Sequence, residues 1–277
     1  MPLNSVNTNI GAMVALQSLN RTNDEMAVTQ KRISTGLRVA DAKDDGAAFA
    51  VAQSVRSDIA GLTAANEQLG ATQGLLETTN SALKKVSESM TEVRKVLTAL
   101  AGDRLSDDER DQYEAQYTAL QTQIQSFVDD ATYNGKSLFT AGAPAATDNV
   151  KVVRNESADQ ITINATNKTT LVVAAAPADA AAAKTALGAA GNFNTVEKAI
   201  NTAMNQYGSD NKTVLGQVSF NKEKMDSLES GLGALVDADL AKESAKLQSL
   251  QIRQQLGTQS LSIANQAPQS LLSLFRG

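Results

Sequence analysis

The strongest constraint in this chain is a run of apolar residues at strict seven-residue spacing: Leu62, Leu69, Leu76, Leu83, Met90 and Leu97, with Val55 one interval earlier. A heptad repeat sustained over that span fits an α-helix laid along other helices in coiled-coil fashion, and little else. It predicts a helix from Asp44 to Leu100, roughly 80 Å long at about 1.5 Å per residue. Gly102 supplies its stop. The companion seam, taken four residues on, reads Ile59, Asn66, Gln73, Asn80, Ser87 and Arg94. One half of the seam is thus apolar and most of the other half polar, which sacrifices stability and fixes register. Composition agrees with thin helix-on-helix contacts. Aromatics are 4% against 42% hydrophobic residues, and four Pro in 277 residues leave room for long helices.

Beyond the heptads, Ser106 and Glu109 form a capping-box pair opening a second helix, whose stripe is Tyr113, Tyr117, Leu120, Ile124 and Phe127. Asn134-Gly135 marks a turn. Between Asn149 and Pro177 the period shortens to two, with Ile161 and Ile163 alternating, so short strands are expected. The alanine run at 178–190 reads as a short helix or a loose connection. From Asn194 the helical period returns through Val196, Ile200, Met204 and Tyr207, and continues to Leu235.

The two ends carry apolar faces with little to cover them. Leu16, Leu19, Met26, Ile33 and Leu37 fit a seam near the N-terminus. The C-terminal segment has one stripe at Leu247, Leu250 and Leu261 and a second at Ile252, Leu256 and Ile263. Two stripes on one terminal helix require several neighbours. The layout is near-symmetric, so the halves are expected to pair as a mainly α, long antiparallel helical bundle or coiled coil with a small β-rich tip. Its expected parts are an N-terminal inner arm (1–40), N-terminal rod helices (41–140), a short variable tip (141–193), a C-terminal rod helix (194–236) and a C-terminal inner arm (237–277).

The composition also excludes. With no His and no Cys, the commonest general base, thiolate chemistry and the commonest transition-metal ligands are gone. The acidic pairs Asp44 with Asp45 and Asp237 with Asp239 read as joint or helix-start charge rather than as catalytic or metal sites. No enzymatic activity and no cofactor are expected. A net charge of −5 argues against nucleic acid. No apolar run approaches the ~20 residues of a membrane span, so no membrane insertion is expected. The N-terminus lacks the basic start and apolar run of a secretory signal.

Several stretches resemble the bacterial flagellin family, in that family's order: NTNIGAMVALQSL (Asn7–Leu19), RISTGLRVADAKDD (Arg32–Asp45), YNGKSLF (Tyr133–Phe139), QITIN (Gln160–Asn164), DADLAKE (Asp237–Glu243) and NQAPQSLLSLFRG (Asn265–Gly277). The resemblance implies a structural subunit that self-assembles into the helical flagellar filament, with terminal arms that fold on polymerisation. A hook–filament junction protein, which shares such arms, is the alternative. It implies inner-core contacts between copies at Leu16, Leu19, Met26, Ile33, Leu247, Leu250, Leu256, Leu261 and Leu271. The stretch around Gly36, Arg38, Asp41, Lys43 and Asp44 would be a spoke joining arm to rod, returning through Asp237 and Asp239. Arg38 and Lys43 set against those acids would hold copies in register, with Gly36, Gly231 and Gly233 allowing the bend. Secretion through a flagellar type III exporter to the bacterial flagellum is also implied. So are an export chaperone on the C-terminal arm, filament cap and junction proteins, and sibling flagellins as further partners.

Overall fold

In the computed structural model residues 8–274 are described, with side chains through Gln266. The chain forms two compact units. One combines Met1–Ser57 with Ser227–Gly277, and the other is Asp58–Asp226. The helices are α1 (Ile10–Thr35), α2 (Gly46–Leu100), α3 (Asp107–Asp129), α4 (Ala180–Leu187), α5 (Asn192–Val236) and α6 (Leu240–Leu274). The strands are β1 (Phe139–Thr140), β2 (Val150–Val153), β3 (Gln160–Ile163) and β4 (Thr166–Asn167).

Within the unit 58–226, the heptad residues Leu62, Leu69, Leu76, Leu83, Met90 and Leu97 are at most 3% exposed. The second buried row of α2 corrects the sequence reading. It lies three residues on, not four: Ala65, Thr72, Thr79, Val86, Val93 and Leu100, none above 6% exposed. Rows three and four residues on both flank the leucine row, since heptad spacing alternates three and four; the buried row here is the one three on, which makes the leucines the a-type row. Asn66, Gln73, Asn80 and Ser87 sit at the edge, half-buried, and Arg94 is exposed. The buried threonines need no partner from a neighbouring helix. Thr72 and Thr79 donate to the carbonyls of Gln68 and Leu75 one turn earlier, at 2.9 and 2.8 Å.

α3 starts as its sequence predicts. The Ser106 hydroxyl accepts from the Glu109 amide, and the Glu109 carboxylate accepts from the Ser106 amide. It buries Tyr117, Ile124 and Val128. The Tyr117 hydroxyl donates to the Ala174 carbonyl at 2.9 Å, and burial pushes this phenol up to about 12. The short strands pair in two ribbons, β1 parallel to β4 and β2 antiparallel to β3, with Val150 opposite Ile163. Their inward residues share one core with the helices: Phe139, Val152 and Ile163 cluster with Leu83, Ile124 and Ile200. Tyr207 of α5 ties this region down. Fully buried, it accepts or donates a 2.8 Å hydrogen bond with Thr166 and donates to the Leu138 carbonyl at 3.2 Å.

One polar layer crosses this unit. Asn221 of α5 is 0% exposed. Its amide donates to Asn66 Oδ1 at 2.9 Å and to the Arg154 carbonyl at 2.8 Å, and it accepts from Gln217. Beside it Lys224 pairs with Glu156 at 2.6 Å. The turn between β2 and β3 is thereby fastened to α2 and α5, and an amide inside an apolar seam permits one register only.

Candidate assembly interface

In the other unit, α1 and α6 run antiparallel. Three contacts fix the pairing. Asn9 donates to the Ala264 carbonyl at 2.6 Å, Gln254 donates to Asn23 at 2.8 Å, and Arg32 pairs with Glu243 at 3.1 Å. Near the middle, Gly257 lets Leu19 come close, since a Cβ there would sit 3.3 Å from a Leu19 methyl. Asn9 caps α1 by accepting from the Ala12 amide, and α1 closes on Gly36 in the left-handed region at φ 72°.

The joint after α1 is built by carboxylates. Lys31 donates to Asp41 at 2.7 Å and to Asp44 at 3.0 Å. The Asp44 carboxylate also accepts from the amides of Ala40 and Asp41, and Asp41 accepts from the Lys43 amide. The Lys31 ammonium holds the Asp41 and Asp44 carboxyls below the usual carboxylate range, and the amide donors add to that. Asp45 caps α2 by accepting from Ala47 and Ala48, and Asp239 caps α6 by accepting from Ala241 and Lys242. Backbone hydrogen bonds join the outgoing and returning segments: Arg38 and Val39 donate to the Val236 carbonyl, and Ala238 donates to that of Gly36. Leu37 bridges Asp237 in the same pairing. Beneath it Val39, Ala48, Ala52 and Val236 form a small core of their own.

These contacts revise the expected roles inside one chain. Lys31, which the sequence did not single out, pairs with two of the four acids set against Arg38 and Lys43, namely Asp41 and Asp44. Arg38 instead donates to the Leu235 carbonyl. Gly231 and Gly233 make no bend, because α5 continues as helix to Val236. Arg32 and Glu243 were also missed. Their pairing spans 211 residues of sequence, so no local pattern carries it.

The expected inner-contact residues divide in two. Leu19, Met26 and Ile33 of α1, with Leu247, Leu250 and Leu261 of α6, are buried or half-buried, Leu19 close to Gly257 of the companion helix. Leu16 and Leu256 are 47% and 62% exposed. The side chain of Leu271 lies outside the described residues. Further apolar side chains are exposed on both arms. On α1, Ile10, Met13 and Val14 are 46%, 64% and 60% exposed, and on α6, Ile252 and Ile263 are 58% and 60% exposed. By contrast Thr29 is the buried residue of α1, and Leu250 is the described residue of α6 with 2% exposure. Between the two helices, Ala15, Ser18, Arg253 and Leu256 line an open groove of about 530 Å³. Among the described residues no group of three or more acidic side chains is placed to hold a metal ion, and no helix is long and apolar enough to cross a membrane. What these surfaces can do chemically is associate.

Comparison with known proteins bears on that association. Residues 6–143 match the family model described as the bacterial flagellin N-terminal helical region, and residues 191–275 match that of the bacterial flagellin C-terminal helical region. Flagellin FljK of Caulobacter vibrioides is 38% identical over 283 residues, covering 100% of both chains. A flagellin of Brucella melitensis is 38% identical over 286 residues, covering 99% of each. Among solved structures, a putative flagellar hook-associated protein from Vibrio parahaemolyticus superposes with a TM-score of 0.58, over 70% of this chain and 100% of that one, at 15% identity.

Proposed function

This chain belongs to the bacterial flagellin family, and from that premise we propose that α1 and α6 form a pair completed only by identical neighbouring copies. The chain is a secreted structural subunit of the bacterial flagellar filament. The likeness to a hook-associated protein is one of fold alone and favours no junction role. Its work is assembly rather than catalysis.

The observation that carries the reading is the unequal covering of the two arms. Each helix turns one stripe toward the other and leaves a second stripe in water: Ile10, Met13, Val14 and Leu16 on α1, and Ile252, Leu256 and Ile263 on α6. Holding one residue's backbone costs about 1–2 kcal/mol, and a lone seam between two helices offsets that poorly. In the filament, identical copies bury the remaining apolar surface, at roughly 25 cal/mol per Å². The outward stripes of α1 and α6 differ from one another, so a contact between them is heterologous, and a heterologous contact that does not close on itself builds the open helix of a flagellar filament. The joint built on Lys31, Asp41 and Asp44 fixes how α1 leaves the start of α2.

The same exposed C-terminal face suits an export chaperone before assembly. Passage through a flagellar type III exporter, contact with cap and junction proteins, and copolymerisation with sibling flagellins follow from the family role. The test is nucleated polymerisation of the purified chain, followed by electron microscopy, beside a variant lacking residues 1–30. The intact chain forms filaments and the shortened one stays monomeric. Equal polymerisation of both would overturn the reading.

A further inference from the structure

α6 carries two apolar rows of similar make. Leu247, Leu250 and Leu261 lie on a covered row. Ile252, Leu256 and Ile263 lie on an exposed row, at 58%, 62% and 60% exposure. Both are heptad rows, and the second follows the first by two residues, about 200° around the helix. Each offers three large aliphatic side chains, so apolar burial alone gives α1 no reason to prefer one row to the other.

The remaining members of the rows differ. The covered row also holds Glu243, Gln254 and Gly257, and each meets a residue of α1. Glu243 pairs with Arg32 at 3.1 Å, Gln254 donates to Asn23 at 2.8 Å, and the Cβ position of Gly257 lies 3.8 Å from Leu19 Cβ. Two residues on, the exposed row has Ala245, Leu256 and Gln259 in the corresponding places. Were α6 turned to present that row, Ala245 would stand against Arg32, Leu256 against the Asn23 amide, and Gln259 where Leu19 meets a glycine. A partly buried guanidinium and an amide would lose their partners, and such losses cost more than the made pairs contribute. A slip of one heptad along the covered row fares no better, since it sets Leu250 against Arg32 and Leu261 against Asn23.

The Arg32 layer is poorly built for strength. Arg32 and Glu243 share one hydrogen bond, where an arginine and a carboxylate can form a two-bond fork. Arg32 Nε, Glu243 Oε2 and the hydroxyl of Thr29 are buried without hydrogen-bonding partners, and Thr29, one turn before Arg32, is 0% exposed. An incompletely paired buried layer is weak evidence for stability, and the best-attested use of one is to fix register. We propose that Arg32–Glu243 and Asn23–Gln254 select the face of α6 that packs on α1. The inference deepens the assembly reading above, because the face chosen against α1 decides which apolar row is left for neighbouring copies.

The chain contains no Cys, so paired cysteines report the chosen face cleanly. Leu19→Cys with Gly257→Cys scores the observed face, because a Cβ separation of 3.8 Å suits a disulfide. Leu19→Cys with Gln259→Cys scores the opposite one. Both are oxidised as dilute monomer, where the disulfide forms within one chain. The first product should exceed the second by at least about tenfold. Adding Arg32→Leu and Glu243→Leu keeps the helices paired but lowers that ratio by about tenfold, and Glu243→Arg alone lowers it further. Arg32→Glu combined with Glu243→Arg recovers most of it, which a merely structural role would not. A ratio unchanged by the leucine pair, or a charge exchange that recovers nothing, would overturn the inference whether or not the chain polymerises. A parent chain that forms no filaments on seeds would overturn the assembly reading, while the ratio still decides which groups select the face.

Discussion

Changing Ile252 and Leu256 together to Gln separates folding of the chain from its assembly. Both side chains are mostly in water in the single chain, at 58% and 62% exposure. Gln keeps the helix propensity of α6, so the monomer should melt within a degree or two of the parent, as for other surface changes. In the polymer the loss is larger. Fully burying an Ile or Leu contributes about 1.5–3 kcal/mol. With roughly three-fifths of each side chain still to be covered, the pair forfeits about 2–3.5 kcal/mol per subunit. At about 1.4 kcal/mol per tenfold, the critical concentration should rise by roughly 20- to 400-fold. The assay is seeded polymerisation over a concentration series, with pelleted and free protein measured at equilibrium. Leu250→Gln is the contrast, because Leu250 is 2% exposed and its loss damages the α1–α6 pair itself. A double variant whose critical concentration stays within twofold of the parent's would refute the reasoning. So would one whose monomer melts far below it.

Other outcomes follow from the same geometry. Asn221→Ala removes three hydrogen bonds from a fully buried position; at about 0.5–1.5 kcal/mol each it costs roughly 1.5–4.5 kcal/mol, read as a lower melting temperature of the monomer. Lys31→Met removes the ammonium that depresses Asp41 and Asp44. Their contribution is present above the ordinary carboxylate range and lost as pH falls through the depressed values. Carboxyl titration by NMR should therefore show both moving up toward ordinary values in the variant. Asp210 has the opposite sign, because partial burial raises its carboxyl. Its charged form destabilises the fold as pH rises through the raised value, so Asp210→Asn should raise the melting temperature at pH 7 and change it little at pH 3.

How far the sequence reached depended on how local each signal was. Ser106 and Glu109 announce the start of α3 because a capping box lies within four residues. The Leu62–Leu97 row is legible because leucine at a fixed period has no competing reading. Its companion row was placed one residue off. Ala65, Thr72 and Thr79 are small or polar and do not advertise burial, while the threonines satisfy their hydroxyls inside their own helix. On α6 the sequence shows two apolar stripes. It cannot say which stripe meets α1, because that depends on Gly257 admitting Leu19. Lys31 escaped notice for a similar reason. Its partners lie 10 and 13 residues away and come within reach only after Gly36 turns the chain. The Asn221 layer joins segments 155 and 67 residues apart, and nothing near Asn221 foretells either partner.

The most direct measurement is amide hydrogen exchange across α1 and α6 in dilute monomer and in filament, with the α2 core as internal reference. The amides of the two arms should exchange orders of magnitude faster than those around Leu76 and Leu83 in the monomer, and should become as slow as those in the filament. Arms already protected like the α2 core in a non-associating monomer would contradict the idea that identical copies complete them.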